Sequence, residues 1–378
     1  MANHMTKSST TGVSSHPWPR RTPRVRPLAL SAAAVVVASL VAAGCSSSQP
    51  AARTPASSQP TVSSPSAGAS GGLASLEAAA KKEGSVDFYA ALDVATTRAI
   101  SDGFTKKYGI KVTPTILQNA ALSQRLVTEG QHNIHKWDVV STAVPDDLAT
   151  QHSMNILQPL TSVPAFATWP AAHKIQDYGV SVSYNLYTVL YNAKLVDSAS
   201  VPASYQDLLK PEFKGAICGE NPTLNANIAW QYIVIANATS PGFLANLGKN
   251  GIVLTPTFAD CAQRIAAGES KVGLIAQSYV KSLNDAGADV KQWIPDQLAG
   301  AVRDFAVSRF ASHPNAAALF IDYLMSPDGQ QVMNGSFNLA SPLSGIPGAT
   351  QVPAGYKPLD AKAATAQAAS LLKQLQGS

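Results

Sequence analysis

The chain has 378 residues, with 28 Lys and Arg against 23 Asp and Glu, a formal charge of +5 and a sequence pI near 9.0. Hydrophobic residues make up 46%, enough for a substantial core, and charged residues only 13%, about half the usual share of roughly 25%, which excludes charge-driven disorder of the whole chain. The basic excess does not point to nucleic acid: Lys7, Arg20, Arg21, Arg24 and Arg26 precede residue 45, no acid does, and without these five the chain is formally neutral with no later basic cluster.

That basic stretch leads into an apolar run from Leu28 to Ala43 and then Gly44-Cys45. A basic lead, an apolar run short of the roughly 20 residues a membrane span needs, and small residues at its end make an export signal. Val41-Ala-Ala-Gly-Cys45 resembles a bacterial lipobox. Residues 1–44 are therefore expected to be a lipoprotein signal peptide, with Cys45 as the lipidation site that ties the protein to the membrane. Residues 45–72 are rich in Ser, Pro, Ala and Gly, with Pro50, Pro55, Pro60 and Pro65 at even intervals. So little apolar surface cannot offset ordering entropy, and the segment reads as a disordered tether.

A helix–strand rhythm begins at Leu73. Leu73, Leu76 and Ala80 share a helix face that Gly84 stops, and Ser85 to Tyr89 alternates as a strand. Asp93 is placed to cap a helix carrying Ile100, Phe104 and Tyr108, ended by Gly109. Ile110 to Ile116 reads as a strand, Leu122 to Val127 as a helix, and Trp137 to Ser141 as a strand, after which Pro145 opens a helix. A long apolar stretch, Val180 to Tyr191, precedes a second unit. Its strands are at 215–219, 252–255 and 272–276, and its helices at 225–236 and 260–267. Ala301 to Phe310 is strand-like, and helices at 315–325, 328–334 and 361–376 close the chain. Strands alternating with helices imply an α/β fold with a largely parallel sheet.

Signatures of hydrolytic, nucleotide-binding or zinc chemistry are absent: there is no His-Glu-x-x-His, no Gly-x-Ser-x-Gly and no Walker loop. His132 and His135 lack an obvious third metal ligand and read as a solvated pair. Neither catalytic residues nor a cofactor nor a bound metal is expected. Cys218 and Cys261 remain as an even pair in an exported protein and are expected to form a disulfide, two buried free thiols being the alternative.

Leu76-Glu-Ala-Ala-Ala-Lys-Lys-Glu-Gly84, Gly103-Phe-Thr-Lys-Lys-Tyr-Gly-Ile-Lys-Val112, Trp137-Asp-Val-Val140 and Val189-Leu-Tyr-Asn-Ala-Lys-Leu-Val196 occur in that order. Leu208-Leu-Lys-Pro-Glu-Phe-Lys-Gly-Ala-Ile217, Ala267-Gly-Glu269 with Gly273, and Leu319-Phe-Ile-Asp-Tyr-Leu-Met-Ser-Pro-Asp-Gly-Gln330 follow. Together they resemble the extracellular solute-binding proteins of ABC importers, in the branch of ferric-ion, phosphonate, thiamine and polyamine binders. The resemblance implies a hinged two-lobed α/β fold, the type II periplasmic-binding-protein fold. Lobe 1 would take residues 73–183 and lobe 2 residues 184–302, with 303–378 returning to lobe 1 and closing on C-terminal helices. Two crossover strands would form the hinge. It also implies a monomeric receptor at the outer side of the cell membrane that hands a small-molecule ligand to ABC permease subunits.

Ligands of open α/β sheets gather at the carboxyl ends of strands, facing helix starts. The loops there offer Ala91, Asp93, Asn119, Ser141, Thr142, Asn221, Asn225, Thr257 and Tyr279, with Tyr187 and Arg303 on the crossovers. These are the candidate ligand-binding residues. Hydroxyls and amides beside Arg303 suit an anionic or zwitterionic ligand. Asp93, Glu220 and Asp260 have two further readings, as cation holders or as helix caps and loop charges. Ser123, Thr257 and Asn225 also read as caps, the tyrosines of Val180 to Tyr191 as core, and Arg303 as a partner of Asp304. The ferric branch uses a Tyr-Tyr pair where this chain has Ser278-Tyr279, and the Ala90 and Gln118 loops supply no His or Glu. Direct capture of iron is disfavoured, while a chelated metal stays open. Other readings are a ligand sensor feeding a signalling partner and, from another class, a tethered cell-wall enzyme.

Overall fold

The computed structural model describes residues 72–377. The export signal, Cys45 and all of the Ser/Pro/Ala segment but Gly72 lie outside the described residues. The first half runs α1 (Gly72–Glu83), β1 (Ser85–Ala90), α2 (Val94–Tyr108), β2 (Lys111–Ile116), α3 (Asn119–Gln131), β3 (Val139–Thr142) and α4 (Pro145–Ser153). Next come α5 (Pro164–Thr168), β4 (Lys174–Ile175) and the long β5 (Gly179–Asn192). The second half is β6 (Ile217–Glu220), α6 (Ala226–Asn237), α7 (Phe243–Lys249), β7 (Val253–Thr255), α8 (Phe258–Ala267), β8 (Val272–Ala276), α9 (Ser278–Asp285) and β9 (Val290–Trp293). The return is β10 (Gly300–Val307), α10 (Pro314–Met325), α11 (Pro327–Met333), β11 (Ala340–Ser341), β12 (Thr350–Gln351) and α12 (Ala361–Leu375).

Local chemistry sets many of these ends. The Asp93 carboxylate accepts from the backbone N–H of Thr96 at 2.8 Å and caps α2, and Gly109 ends that helix at φ 74°, where a side chain would be strained. Thr257 and Asp260 form a reciprocal capping box that starts α8. Asn225 caps α6 through the N–H of Asn227.

The strand order is β2-β1-β3-β10-β5-β8-β6-β7. Pairing is parallel within each half, β1 with β2 and β3, and β6 with β7 and β8. It is antiparallel wherever β5 or β10 meets a neighbour in this order. The sheet is thus mixed rather than largely parallel, because the two crossovers run in opposite directions between the halves. One core, around Phe88, Phe104 and Phe320, fills the first half, and another, around Tyr232, Phe213 and Phe243, fills the second. Helix α12 belongs to the second core through Ala364, Leu371 and Leu375. The return thus ends against the second half.

The β5–β10 ribbon joining the halves carries a register break. Arg303 pairs with Ser183 but Asp304 pairs with Ser181, which leaves Val182 as the extra residue of a bulge. The free Val182 carbonyl accepts from Gln330 Nε2 at 3.1 Å and Asn334 Nδ2 at 2.9 Å, so α11 completes the irregular ladder. In the second half, Cys218 within β6 is bonded to Cys261 in α8, with Cα atoms 5.6 Å apart, as expected from the cysteine count.

Candidate functional site

Two cavities lie between loops of the first half and loops of the second. The one nearer the ribbon has a volume of about 380 Å³. Asp93 and Thr96 from the start of α2 line one side, Ser278 and Tyr279 from the start of α9 the other, and Ser183, Asn185 and Arg303 of the ribbon its floor. The other cavity brings Asn119 of α3 and Val144 ahead of α4 opposite Asn225 ahead of α6 and Asn227 within it.

The charges of the first cavity are mostly committed. Asp93 is engaged in capping, and also accepts from Thr96 Oγ1 at 2.8 Å. Lys281 pairs with Asp285 one turn along α9 at 2.8 Å. Arg303 has no ion-pair partner among the described residues; its one direct hydrogen bond is a long 3.5 Å contact from Nη1 to the Val302 carbonyl. Burial pushes its guanidinium pKa down, while the nearby Tyr187, Asp93 and Asp304 pull it back up. A partly buried guanidinium with idle donors can hold an oxyanion through two parallel N–H bonds.

The surroundings of Arg303 are fixed by side-chain amides. Asn185 Nδ2 donates to Ser278 Oγ at 3.1 Å, and Asn185 Oδ1 accepts from the Ser278 N–H at 3.3 Å. Buried Gln277 donates through Nε2 to the Tyr184 carbonyl and accepts from Thr350 Oγ1 at 3.0 Å. The start of α9 is therefore tied to the ribbon and to the return segment. Tyr279 is half-buried there, and burial raises the pKa of its phenol, so at neutral pH it presents O–H rather than a phenolate.

Of the residues singled out from the sequence, Asp93, Tyr279 and Arg303 meet in the first cavity, and Asn119 and Asn225 in the second. Tyr187 is buried in the core of the second half, edge-on to Phe258. Ala91, Ser141 and Thr142 are buried at strand ends. Ser141 Oγ has no hydrogen-bond partner among the described residues, and Thr142 Oγ1 donates to Asp147. Asn221 holds its own turn by accepting from the N–H of Thr223, and Thr257 is occupied in the capping box. Asp260 shares that box, and Glu220 accepts from the Phe258 N–H at 3.0 Å, so both acids act as local caps. Arg303 and Asp304 face different cavities and form no ion pair with each other.

Sequence reading missed Ser183 and Asn185, although polar residues two apart in an apolar strand were a usable sign that one face of it is wet. It also missed Lys281, because α9 was not expected, and Phe337 and Leu339, which reach the cavity through the return segment.

Residues 99–365, well over half of the chain, match the profile of the family described as bacterial extracellular solute-binding protein. The chain belongs to that family. It is 23% identical over 221 residues to the phosphoglycerate transport regulatory protein PgtC of Salmonella typhimurium, a match covering 57% of this chain and 55% of that relative. This chain thus matches only about half of that relative's length. Among solved structures it resembles iron-bound HitA of Pseudomonas aeruginosa, with TM-score 0.58, 20% identity, and coverage of 77% of this chain and 99% of the other. It also resembles the substrate binding protein of an ABC transporter from Agrobacterium tumefaciens, with TM-score 0.61, 16% identity, and coverage of 77% and 95%. The fold is that of the two-lobed periplasmic binding proteins, and the protein is a solute-binding protein.

Proposed function

We propose that the protein is a membrane-anchored receptor that captures a small anionic or zwitterionic solute between its lobes and delivers it to an ABC importer. In this reading Cys45 carries the lipid and residues 45–72 are the tether. Residues 73–183 with the return from 303 form one lobe, and 184–302 the other together with α12, which packs in the second core; the receptor works as a monomer without chemistry of its own. The observation that carries it is Arg303, a partly buried cation on the ribbon between the halves with no acidic ion-pair partner among the described residues. A ligand bound to Arg303 and to groups of both halves favours the closed form by contacting both. The name of the Salmonella relative, a phosphoglycerate transport protein, agrees with an anionic solute.

A thermal-shift screen of phosphorylated and carboxylated metabolites tests this reading, since a ligand that binds only the folded state raises the melting temperature. At least one anion is expected to stabilise the protein, and Arg303→Ala is expected to weaken that anion by about thirtyfold or more, the loss typical of truncating one side of a buried charged pair. A full screen without a shift, or undiminished affinity in Arg303→Ala, contradicts the reading.

Two second readings have specific support. The word regulatory in the relative's name favours a sensor that feeds a signalling partner; co-purification with a histidine kinase rather than a permease would select it. The iron-bound neighbour favours iron as the cargo, bare or chelated. A bare ferric ion needs several anionic oxygens, and the first cavity offers one half-buried phenol, one capping carboxylate and the Asp285 carboxylate, which is already paired with Lys281. A chelate bringing its own oxygens meets Arg303 instead, and iron with and without citrate in the same screen separates the two.

A further inference from the structure

On the opposite face of the β5–β10 ribbon lies a third cavity of about 510 Å³, a size suited to a small molecule. It is closed by the segment after β12 and by residues 172–175. Alternation along β10 sends Arg303 to the solute side and Val302 and Asp304 to this one. Asp304 is 4% exposed. Its Oδ1 accepts from Ser181 Oγ at 2.6 Å, and among the described residues it has no ion-pair partner and no further hydrogen bond to its side chain.

The other polar groups of this cavity are engaged elsewhere. Tyr184 Oη is hydrogen-bonded to His173 Nδ1 at 2.8 Å, and Tyr356 Oη donates to the Gly300 carbonyl at 3.3 Å. Lys174 Nζ lies 4.7 Å from the Phe166 ring centre and donates to the Ala167 carbonyl, so it does not neutralise Asp304. Burial lowers the pKa of His173, which leaves that ring uncharged at neutral pH. The cavity therefore presents one buried carboxylate, the rings of Tyr184 and Tyr356 packed edge to face at 5.0 Å, and aliphatic surface from Val302, Val352 and Leu359.

We propose that this cavity behind the ribbon is a second ligand site, which takes a small organic ammonium with its charged head on Asp304 and its carbon chain along Val302, Val352 and Leu359. An ammonium supplies the missing donors to the carboxylate and is attracted by the faces of Tyr184 and Tyr356. A hard divalent metal is not served, since it needs six or more oxygen ligands and finds one carboxylate. The proposed occupant has the opposite charge to the solute proposed for Arg303, so the two sites do not compete for one ligand.

The test uses the full-length protein with n-butylammonium as probe and 1-butanol as its uncharged counterpart. Calorimetry and saturation-transfer NMR are expected to show binding of butylammonium and none of butanol. Asp304→Asn, which keeps the acceptor for Ser181, is expected to weaken butylammonium about tenfold or more. No saturation transfer to butylammonium in the wild type, equal transfer to butanol, or undiminished affinity in Asp304→Asn overturns the proposal. The NMR comparison of the two probes decides even if the variant does not fold.

Discussion

Asp304 is a buried acid whose ionisation works against the fold, and its replacement gives a prediction with a magnitude. Burial pushes its pKa from an ordinary 3.8 to about 6, against the opposing pull of the Ser181 hydroxyl and the Arg303 charge. The folded state therefore holds a proton on Asp304 at pH values where the unfolded chain has lost it. Stability from this group is fully present below 3.8 and is lost as pH rises through about 6. At roughly 1.4 kcal/mol per pH unit of separation, the ionised side chain costs the native state about 3 kcal/mol at neutral pH. Asp304→Asn keeps the shape and the acceptor for Ser181 but never ionises. It is expected to be about 3 kcal/mol more stable than the wild type at pH 7.5, and nearly isoenergetic with it at pH 4. Urea unfolding of both proteins at the two pH values, followed by tryptophan fluorescence, measures the difference while most other titrating groups cancel. An advantage for Asp304→Asn that is the same at pH 4 and pH 7.5, or no advantage at all, refutes the reasoning.

Two further outcomes follow from the second half and the ribbon. The Cys218–Cys261 bond spans a sequence separation of 43, and on the chain-entropy view replacing both cysteines by serine is expected to cost about 4 kcal/mol; equal stability of the variant and the oxidised wild type would oppose this. Gly300 pairs with Leu186 on the ribbon, and a Cβ there would sit 2.8 Å from the Asn185 carbonyl oxygen. Gly300→Ala is expected to lose about 1–3 kcal/mol, the usual cost of overpacking, and to weaken anion binding because Asn185 also holds Ser278; unchanged denaturation and unchanged ligand response would contradict both parts.

Much of the architecture was legible because it follows from periodicity and caps. Asp93, Asn225 and Thr257 start the helices where short polar side chains favour a start, and Gly109 ends one where a positive φ favours glycine. The mixed character of the sheet was not legible, since alternation of strands and helices says nothing about a crossover that returns in the opposite direction. Helix α9 was hidden by its length of eight residues and by Gln277, which starts it without a side-chain cap. Its absence from the reading removed Lys281 and Asp285 from view.

The candidate site was legible in part for a related reason. Strand-end loops can be found from strand ends, which is how Asp93, Tyr279, Asn119 and Asn225 were reached. Whether a loop side chain has spare hydrogen-bonding capacity depends on neighbours distant in sequence. Thr142 is occupied by Asp147, and Asn185 is tied to Ser278, 93 positions away. The adjacent pair Arg303-Asp304 carried a sequence ambiguity that strand geometry resolves, because adjacent strand residues face opposite ways. One faces the proposed solute and the other the separate cavity behind the ribbon.

The claim that this receptor holds an anion on Arg303 is tested most directly by native mass spectrometry of the gently purified wild type beside Arg303→Ala. The account predicts a small anionic ligand carried by the wild type and released on unfolding, with its occupancy lost in the variant. A ligand retained equally by both proteins, or a cationic ligand in its place, would contradict it.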